Sequence, residues 1–245
     1  MSYDKAEMLR FRLNAISILR LLKSMYSYKE LAKLIELPET VLCKYVKGVM
    51  IPSLEQAKII WSKFREKLAL ASIISSRITI LKNGYIDFSQ VLADPTVLKL
   101  IAYDTYFEFR GSRITKVITT NKGPLPLATS IALVLEAPLV IACEFKDPSY
   151  SEFYEEFMVL SSRIGATIYI PRRLLRKRDD VLIVTDTISK QGELRALLNI
   201  VKKAHCNLVG VISLVLMDKD IYKELTSGLQ VKVKYFIELN DERTT

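Results

Sequence analysis

The chain is poor in the residues that build metal centres, disulfide scaffolds and proton-transfer triads. Its 245 residues include three cysteines and a single histidine. Cys43, Cys143 and Cys206 are odd in number and far apart, and none has metal-site spacing. This argues against a disulfide framework and for a reducing cytoplasm. His205 stands next to Cys206 at a helix end with no partner that suggests a metal or a catalytic dyad, so a surface or capping role is expected. Ser189 likewise lacks a Ser/His/Asp setting and reads as a loop hydroxyl, not a nucleophile. The opening MSYDKAEMLRFRL is charged too early and too often for a signal peptide. The longest apolar run is cut by Glu136 and Pro138, so no membrane partner is expected. There is no internal repeat and no low-complexity tract.

What the chain does hold is apolar surface and unevenly placed positive charge. Half of its residues are hydrophobic, enough for one large core or two modest ones. The net charge is +9; residues 1–75 contain 13 Lys+Arg against 7 Asp+Glu, and the remainder 23 against 20. The smaller segment thus carries the larger excess, which suits a nucleic-acid partner there.

The stretch Tyr28 to Gly48, YKELAKLIELPETVLCKYVKG, has the spacing of a helix-turn-helix. Leu31, Ile35, Leu37, Leu42 and Tyr45 fall where two short helices crossing steeply must bury side chains, with the small Ala32 between them. Ser27 and Glu30 form a capping box that starts the first helix. Leu37-Pro38 breaks it, because the residue before a proline is pushed out of the helical region. A second helix then begins near Glu39 and ends at Gly48. Its unpacked face carries Glu39, Thr40, Cys43, Lys44 and Lys47; with Tyr28 these are the expected contacts to double-stranded DNA. Glu36 holds the turn position where glycine is common, and protein contact is the other use of such a motif. Met8, Phe11, Ala15, Ile18 and Leu22 mark an amphipathic helix before it. Ser53 caps another in which Ala57, Ile60, Trp61, Phe64 and Leu68 share one side, Trp61 as core. Residues 1–75 are therefore expected to be an all-α DNA-binding domain, with the boundary between Ser75 and Gly84.

Beyond that boundary strands alternate with helices, which predicts an α/β domain over 76–245 built on a doubly wound, mostly parallel sheet. Strands are expected at 114–119, 139–143, 167–170, 181–184 and 208–215. Helices are expected after Asp94-Pro95, at 125–135 and at 193–204. Ligands bind at the carboxyl ends of such strands, so the loops after Val117, Val140 and Val184 are the places for chemistry. The basic run PRRLLRKRDD, Pro171 to Asp180, has three open readings: a diphosphate contact, a DNA contact or a solvated loop.

The run VLIVTDTISKQGEL, Val181 to Leu194, resembles the signature of the type I phosphoribosyltransferases. In that family four apolar strand residues lead into two carboxylates and a Thr/Gly-rich loop before a helix. Upstream, KVITTNKGPLPLATSIALVLEAPLVIACEFK is similar to the family's diphosphate loop, its following helix and the strand that ends in a basic pair. The resemblance covers about residues 84 to 218 and is to the purine-type members. It implies a pocket for phosphoribosyl diphosphate with Mg²⁺, or a nucleotide, lined by Lys122, Gly123, Lys146, Thr185, Asp186, Ser189, Lys190, Gln191, Gly192 and Glu193. The departures are Thr185 at the first acidic position, Gln191 where the loop has glycine, and Glu193 in place of threonine. The first removes half of the ribose grip and the second a left-handed loop position. The third sets a carboxylate against a phosphate, unless Lys190 offsets it or Glu193 fills the anion site itself. Three uses stay open: a ligand-binding module without turnover, which is the favoured one, a working transferase, and a dimerisation scaffold. Similar fusions of a helix-turn-helix to such a domain occur among archaeal regulators of nucleotide metabolism. The resemblance thus implies a cytoplasmic, homodimeric transcription regulator that reads a palindromic operator.

Overall fold

The computed structural model describes residues 5–82, 84–159, 165–189 and 193–239. The chain divides into two compact units, 1–70 and 71–245. The division falls a few residues before the Ser75 to Gly84 stretch expected from composition.

The first unit is all-α. It contains α1 (Lys5–Met25), α2 (Tyr28–Ile35), α3 (Glu39–Val46) and α4 (Leu54–Lys67), and α5 (Leu70–Ser75) begins at its last residue. Local chemistry sets each start. Ser27 Oγ accepts from the Glu30 amide at 3.3 Å while Glu30 Oε2 accepts from the Ser27 amide at 2.8 Å; Ser53 and Gln56 repeat the box at α4. Pro38 is the N-cap of α3. Phe11, Ile18, Leu22, Leu31, Ile35, Leu42, Tyr45, Ile60, Trp61 and Phe64 are all fully buried. Gly48 closes α3 at φ 75°, a left-handed value that its missing Cβ permits.

Glu36, the C-cap of α2, adopts φ 59° and ψ 38°, the left-handed conformation for which glycine is usual. Its carboxylate meets Lys63 at 2.8 Å and Lys67 at 2.5 Å. Those hydrogen bonds bring its pKa from 4.5 down to about 2. A carboxyl depressed in the folded state adds stability that is present above its ordinary pKa and lost as pH falls through the folded value. The window here is therefore about pH 4.5 down to about 2. Glu36→Gln should remove this share of the acid sensitivity, so thermal unfolding at about pH 6 and about pH 3 should differ less in the variant than in the parent. Equal losses in both chains would contradict the assignment.

The second unit continues with β1 (Thr79–Ile80), β2 (Ile86–Asp87), α6 (Ser89–Leu92), α7 (Pro95–Glu108), β3 (Lys116–Thr120), α8 (Leu125–Leu135) and β4 (Leu139–Ala142). It ends with β5 (Phe153–Val159), β6 (Gly165–Pro171), β7 (Asp180–Ile188), α9 (Glu193–Lys203), β8 (Asn207–Leu216), α10 (Lys219–Lys223), β9 (Lys232–Lys234) and β10 (Ile237–Glu238). The main sheet runs β10-β8-β7-β3-β4 with β9 also on β8, and every pairing in it is parallel. Side-chain alternation splits its core between two faces. Ile118, Val181, Ile183 and Val211 pack with Leu197 and Ile200 of α9, while Val117, Leu182, Val184 and Ile212 pack with Ile101 of α7 and Ile131 of α8.

Two sequence expectations need correction. Residues 167–170 are not part of the parallel sheet: β6 pairs antiparallel with β5, and this hairpin reaches the edge of the main sheet through the bridge Cys143 to Tyr169. The strand after 181 does not stop at Val184. It runs on to Ile188 because Thr185, Thr187 and Ile188 keep their pairing with Ser213, Val215 and Leu216. Thr185 and Asp186 thus stand on a strand, not in a loop.

Gly210 of β8 is the point of closest approach at the other end. A Cβ there would lie 2.2 Å from Phe109 Cε1 and 2.9 Å from the Lys232 carbonyl oxygen. Gly210→Ala should destabilise the unit by about 1–3 kcal/mol through overpacking, read as a lower denaturation midpoint. An unchanged midpoint would show that Phe109 can move aside freely.

Candidate functional site

Two surfaces gather the residues singled out in the sequence, one on each unit. On the first, Leu42 and Tyr45 of α3 are buried, so Glu39, Thr40, Lys44 and Lys47 emerge on the opposite, exposed face, with Cys43 half-buried beside them. Tyr28, the first residue of α2, faces the same way. Together with Val49 these six line an open concavity of about 530 Å³. Burial and the Cys43 thiol push the Tyr28 hydroxyl pKa up, and Lys23 Nζ lies 4.9 Å from the centre of the Tyr28 ring. Val49, 71% exposed, and Lys23 are the members of this surface that the pattern did not single out. Val49 lies past the helix stop, where periodicity carries no signal. The concavity combines two lysines, one carboxylate, a hydroxyl, a thiol, a small hydrophobe and an aromatic. That inventory can bond phosphates and touch base edges.

On the α/β unit the carboxyl ends of β3, β4 and β7 meet. Thr120, the last residue of β3, donates through Oγ1 to Glu193 Oε2 at 2.6 Å, which joins the strand to the first residue of α9. Asp186 accepts at Oδ1 from Thr187 Oγ1 at 3.1 Å, and its carbonyl accepts from Ser213 Oγ at 3.0 Å. Thr185 is buried, its hydroxyl donating to the Thr187 carbonyl at 3.2 Å. Gly123 permits the approach of the loop after β3, since a Cβ there would lie 2.8 Å from Asp186 Oδ2. Lys122 is ion-paired to Glu144.

The electrostatics of this crevice are those of crowded carboxylates. Burial raises the pKa of Asp186, with the Thr187 hydroxyl pulling it back. Burial also raises that of Glu193; the Thr120 hydroxyl opposes this, the Asp186 charge adds to it, and Lys122 and Glu144 largely offset each other. Burial thus disfavours the charged form of both carboxyls, and any charge that they keep opposes an arriving phosphate.

The other expected ligands fall in different places. Lys146 is turned to the hairpin, 3.0 Å from Glu155 Oε2 and 4.8 Å from the centre of the Tyr169 ring. Ser189 ends the described part of the loop, and Lys190, Gln191 and Gly192 lie outside the described residues. Thr120 and Glu144 belong to the crevice without having been expected there. Among the described residues no group of three or more His, Cys, Asp or Glu side chains is placed to hold a metal, so they form no cage for Mg²⁺. Among the same residues no helix is long and apolar enough to cross a membrane.

No family model matches the chain. Similar curated proteins include the xanthine phosphoribosyltransferase of Lactobacillus acidophilus, 24% identical over 120 residues, which cover 48% of this chain and 62% of that one. Another is the purine biosynthesis transcriptional activator PurR of Lactococcus lactis, 28% identical over 145 residues, 58% of this chain and 53% of that one. The chain thus spans about half to three fifths of the length of these relatives, which are bacterial, not archaeal. Among solved structures, adenine phosphoribosyltransferase from Rhodothermus marinus superposes with a TM-score of 0.59 at 22% identity, over 69% of this chain and 98% of that one. The enzyme from Giardia lamblia, complexed with 9-deazaadenine, gives 0.58 at 17% identity over 69% of this chain. The α/β unit therefore has the fold of the type I phosphoribosyltransferases.

Proposed function

We propose that this protein is a sequence-specific DNA-binding transcription regulator whose phosphoribosyltransferase-like domain binds a phosphoribosyl or nucleotide ligand without turning it over. The observation that carries the reading is the concavity on the first unit: the six residues expected to touch DNA from spacing alone line one surface, with Val49 added. The likeness to a purine biosynthesis activator supports the same reading. In this reading α2 and α3 act as a helix-turn-helix, α3 enters the major groove, and Lys44 and Lys47 neutralise phosphates while Thr40 meets base edges. The chain works as a homodimer on a palindromic operator with half-sites about one turn, roughly 34 Å, apart. Ligand in the crevice regulates by as much as it distinguishes the DNA-competent arrangement from the other.

Lys44→Ala and Lys47→Ala should each lower affinity for DNA from upstream of the gene and reduce the salt slope by about 0.9, whereas Thr40→Ala should change sequence preference. Fluorescence anisotropy across a salt series reads both, and three variants indistinguishable from the parent would refute the face. The second reading is a working purine phosphoribosyltransferase, favoured by the fold and by the xanthine-type relative. Formation of a nucleotide from a purine base and phosphoribosyl diphosphate would establish it. The carboxyl of Glu193 at the start of α9 and the buried Thr185 at the first acidic position weigh against that outcome.

A further inference from the structure

We propose that the amino-terminal edge of the sheet in the α/β unit is a second contact surface for the phosphate backbone of duplex DNA, distinct from the concavity on α3. The inference rests on the regulator reading and adds a partner surface to it. Because β3, β7 and β8 are parallel, their first residues lie at one end, with Asp180 opposite Asn207 and Lys116 opposite Val181. Three connections therefore meet there, the one before β3, the turn 176–179 and the turn after α9. The Asp186 crevice is at the other end of β7, six residues or roughly 20 Å along the strand.

The turn is locked by its own carboxylates. Asp179 accepts from Thr115 Oγ1 at 3.0 Å through one oxygen and from the Arg176 amide at 2.8 Å through the other. Asp180 accepts from Asn207 Nδ2 at 3.0 Å, and its second oxygen faces Arg113 at 3.7 Å. Backbone bonds tie the same turn to its neighbours: Arg178 N to the His205 carbonyl at 2.9 Å, and Asn207 N to the Asp179 carbonyl at 2.8 Å. Arg178 and His205 both hold left-handed backbone, at φ 68° and 53°. Strained turns of this kind persist where the surroundings over-determine them.

With both acids committed to the frame and to Arg113, the three cations of the turn itself have no carboxylate to face. Arg176, Lys177 and Arg178 are exposed and make no ion pair among the described residues. Lys202 is exposed beside them, and Arg113, paired with Asp180, is 80% exposed. Guanidinium groups on a fixed backbone suit phosphate oxygens, which they bind in pairs with little ordering cost. Leu175 is buried and Leu174 half-buried, so the segment offers little apolar surface for insertion into a lipid surface. None of these cations stacks on a ring that could carry an unpaired base, as a single-stranded partner would want.

The test uses the full chain and a labelled duplex of scrambled sequence, titrated between about 50 and 200 mM salt. Arg176→Gln, Lys177→Gln and Arg178→Asn combined should lower the slope of log affinity against log salt by about 2 to 3, and Lys177→Gln alone by about 0.9. A slope equal to the parent's in both variants overturns the proposal. So does a loss confined to vesicles of anionic phospholipid or to single-stranded RNA. The chain carrying Lys44→Ala and Lys47→Ala, run beside them, separates the two readings. If it binds as the parent does while the triple variant loses slope, the sheet-edge surface stands and the α3 face fails.

Discussion

Trp61→Ala is expected to cost the first unit about 3–5 kcal/mol, the range for truncating a large buried aromatic. Trp61 is fully buried, stacks on Phe11 at 5.5 Å between ring centres, meets Phe64 edge-on at 6.2 Å, and donates its indole N–H to the Phe11 carbonyl at 3.3 Å. Alanine forfeits the packing and the indole bond, while the Phe11 carbonyl keeps its place in the hydrogen-bond ladder of α1. A unit of about 70 residues has little stability to spare, so a loss of this size should leave it largely unfolded at room temperature. Loss of part of the helical circular dichroism, with the transition of the α/β unit retained, is the expected result. Under the regulator reading, operator selectivity should vanish with it. A melting profile that matches the parent would mean the core of the first unit is organised around other residues.

The second large effect concerns the crevice. Glu193→Gln removes an ionisable, half-buried carboxyl beside Asp186 while leaving an oxygen to accept from Thr120. For a charge about 4 to 8 Å from an incoming phosphate, at an effective dielectric near 20, the repulsion relieved is roughly 2–4 kcal/mol. The variant should therefore bind phosphoribosyl diphosphate about 30- to 1,000-fold more tightly than the parent in a calorimetric titration. Unchanged affinity would indicate that Glu193 already carries a proton when ligand arrives, or that phosphate enters elsewhere.

Elements written in local chemistry were the legible ones. The starts of α2 and α4 follow from reciprocal caps three residues apart, and the stop of α2 from Pro38, so spacing alone placed Tyr28, Thr40, Cys43, Lys44 and Lys47 on one surface. The alternating apolar runs of β3, β7 and β8 likewise gave their positions to within a few residues. The hairpin was not legible as a separate sheet, because Phe153–Val159 carries Glu155 and Glu156 and its pairing with Gly165–Pro171 is a tertiary matter. β9 and β10 are too short for any period to register. In the crevice, the type of residue at Thr185, Asp186 and Glu193 was visible. The bond from Thr120 to Glu193 joins positions 73 residues apart, which no spacing rule reaches. The resemblance sets Lys122 and Lys146 against a phosphoribosyl ligand, whereas each meets a carboxylate on another segment, Glu144 and Glu155.

The outer edge of the parallel sheet sets the order in which the two units can be completed. Lys232 of β9 bonds the Glu108 carbonyl of α7 across 124 residues, and Lys234 pairs with the buried Asp104 at 3.2 Å. In the first unit the indole bond from Trp61 to Phe11 spans 50 residues. Long loops are slow to close, and their entropy is lost before the contact is gained. During synthesis the helical unit can thus reach its native contacts while the sheet still lacks an edge. The ribosome therefore releases a chain whose helical unit is finished before the sheet of its α/β unit has gained its last strands.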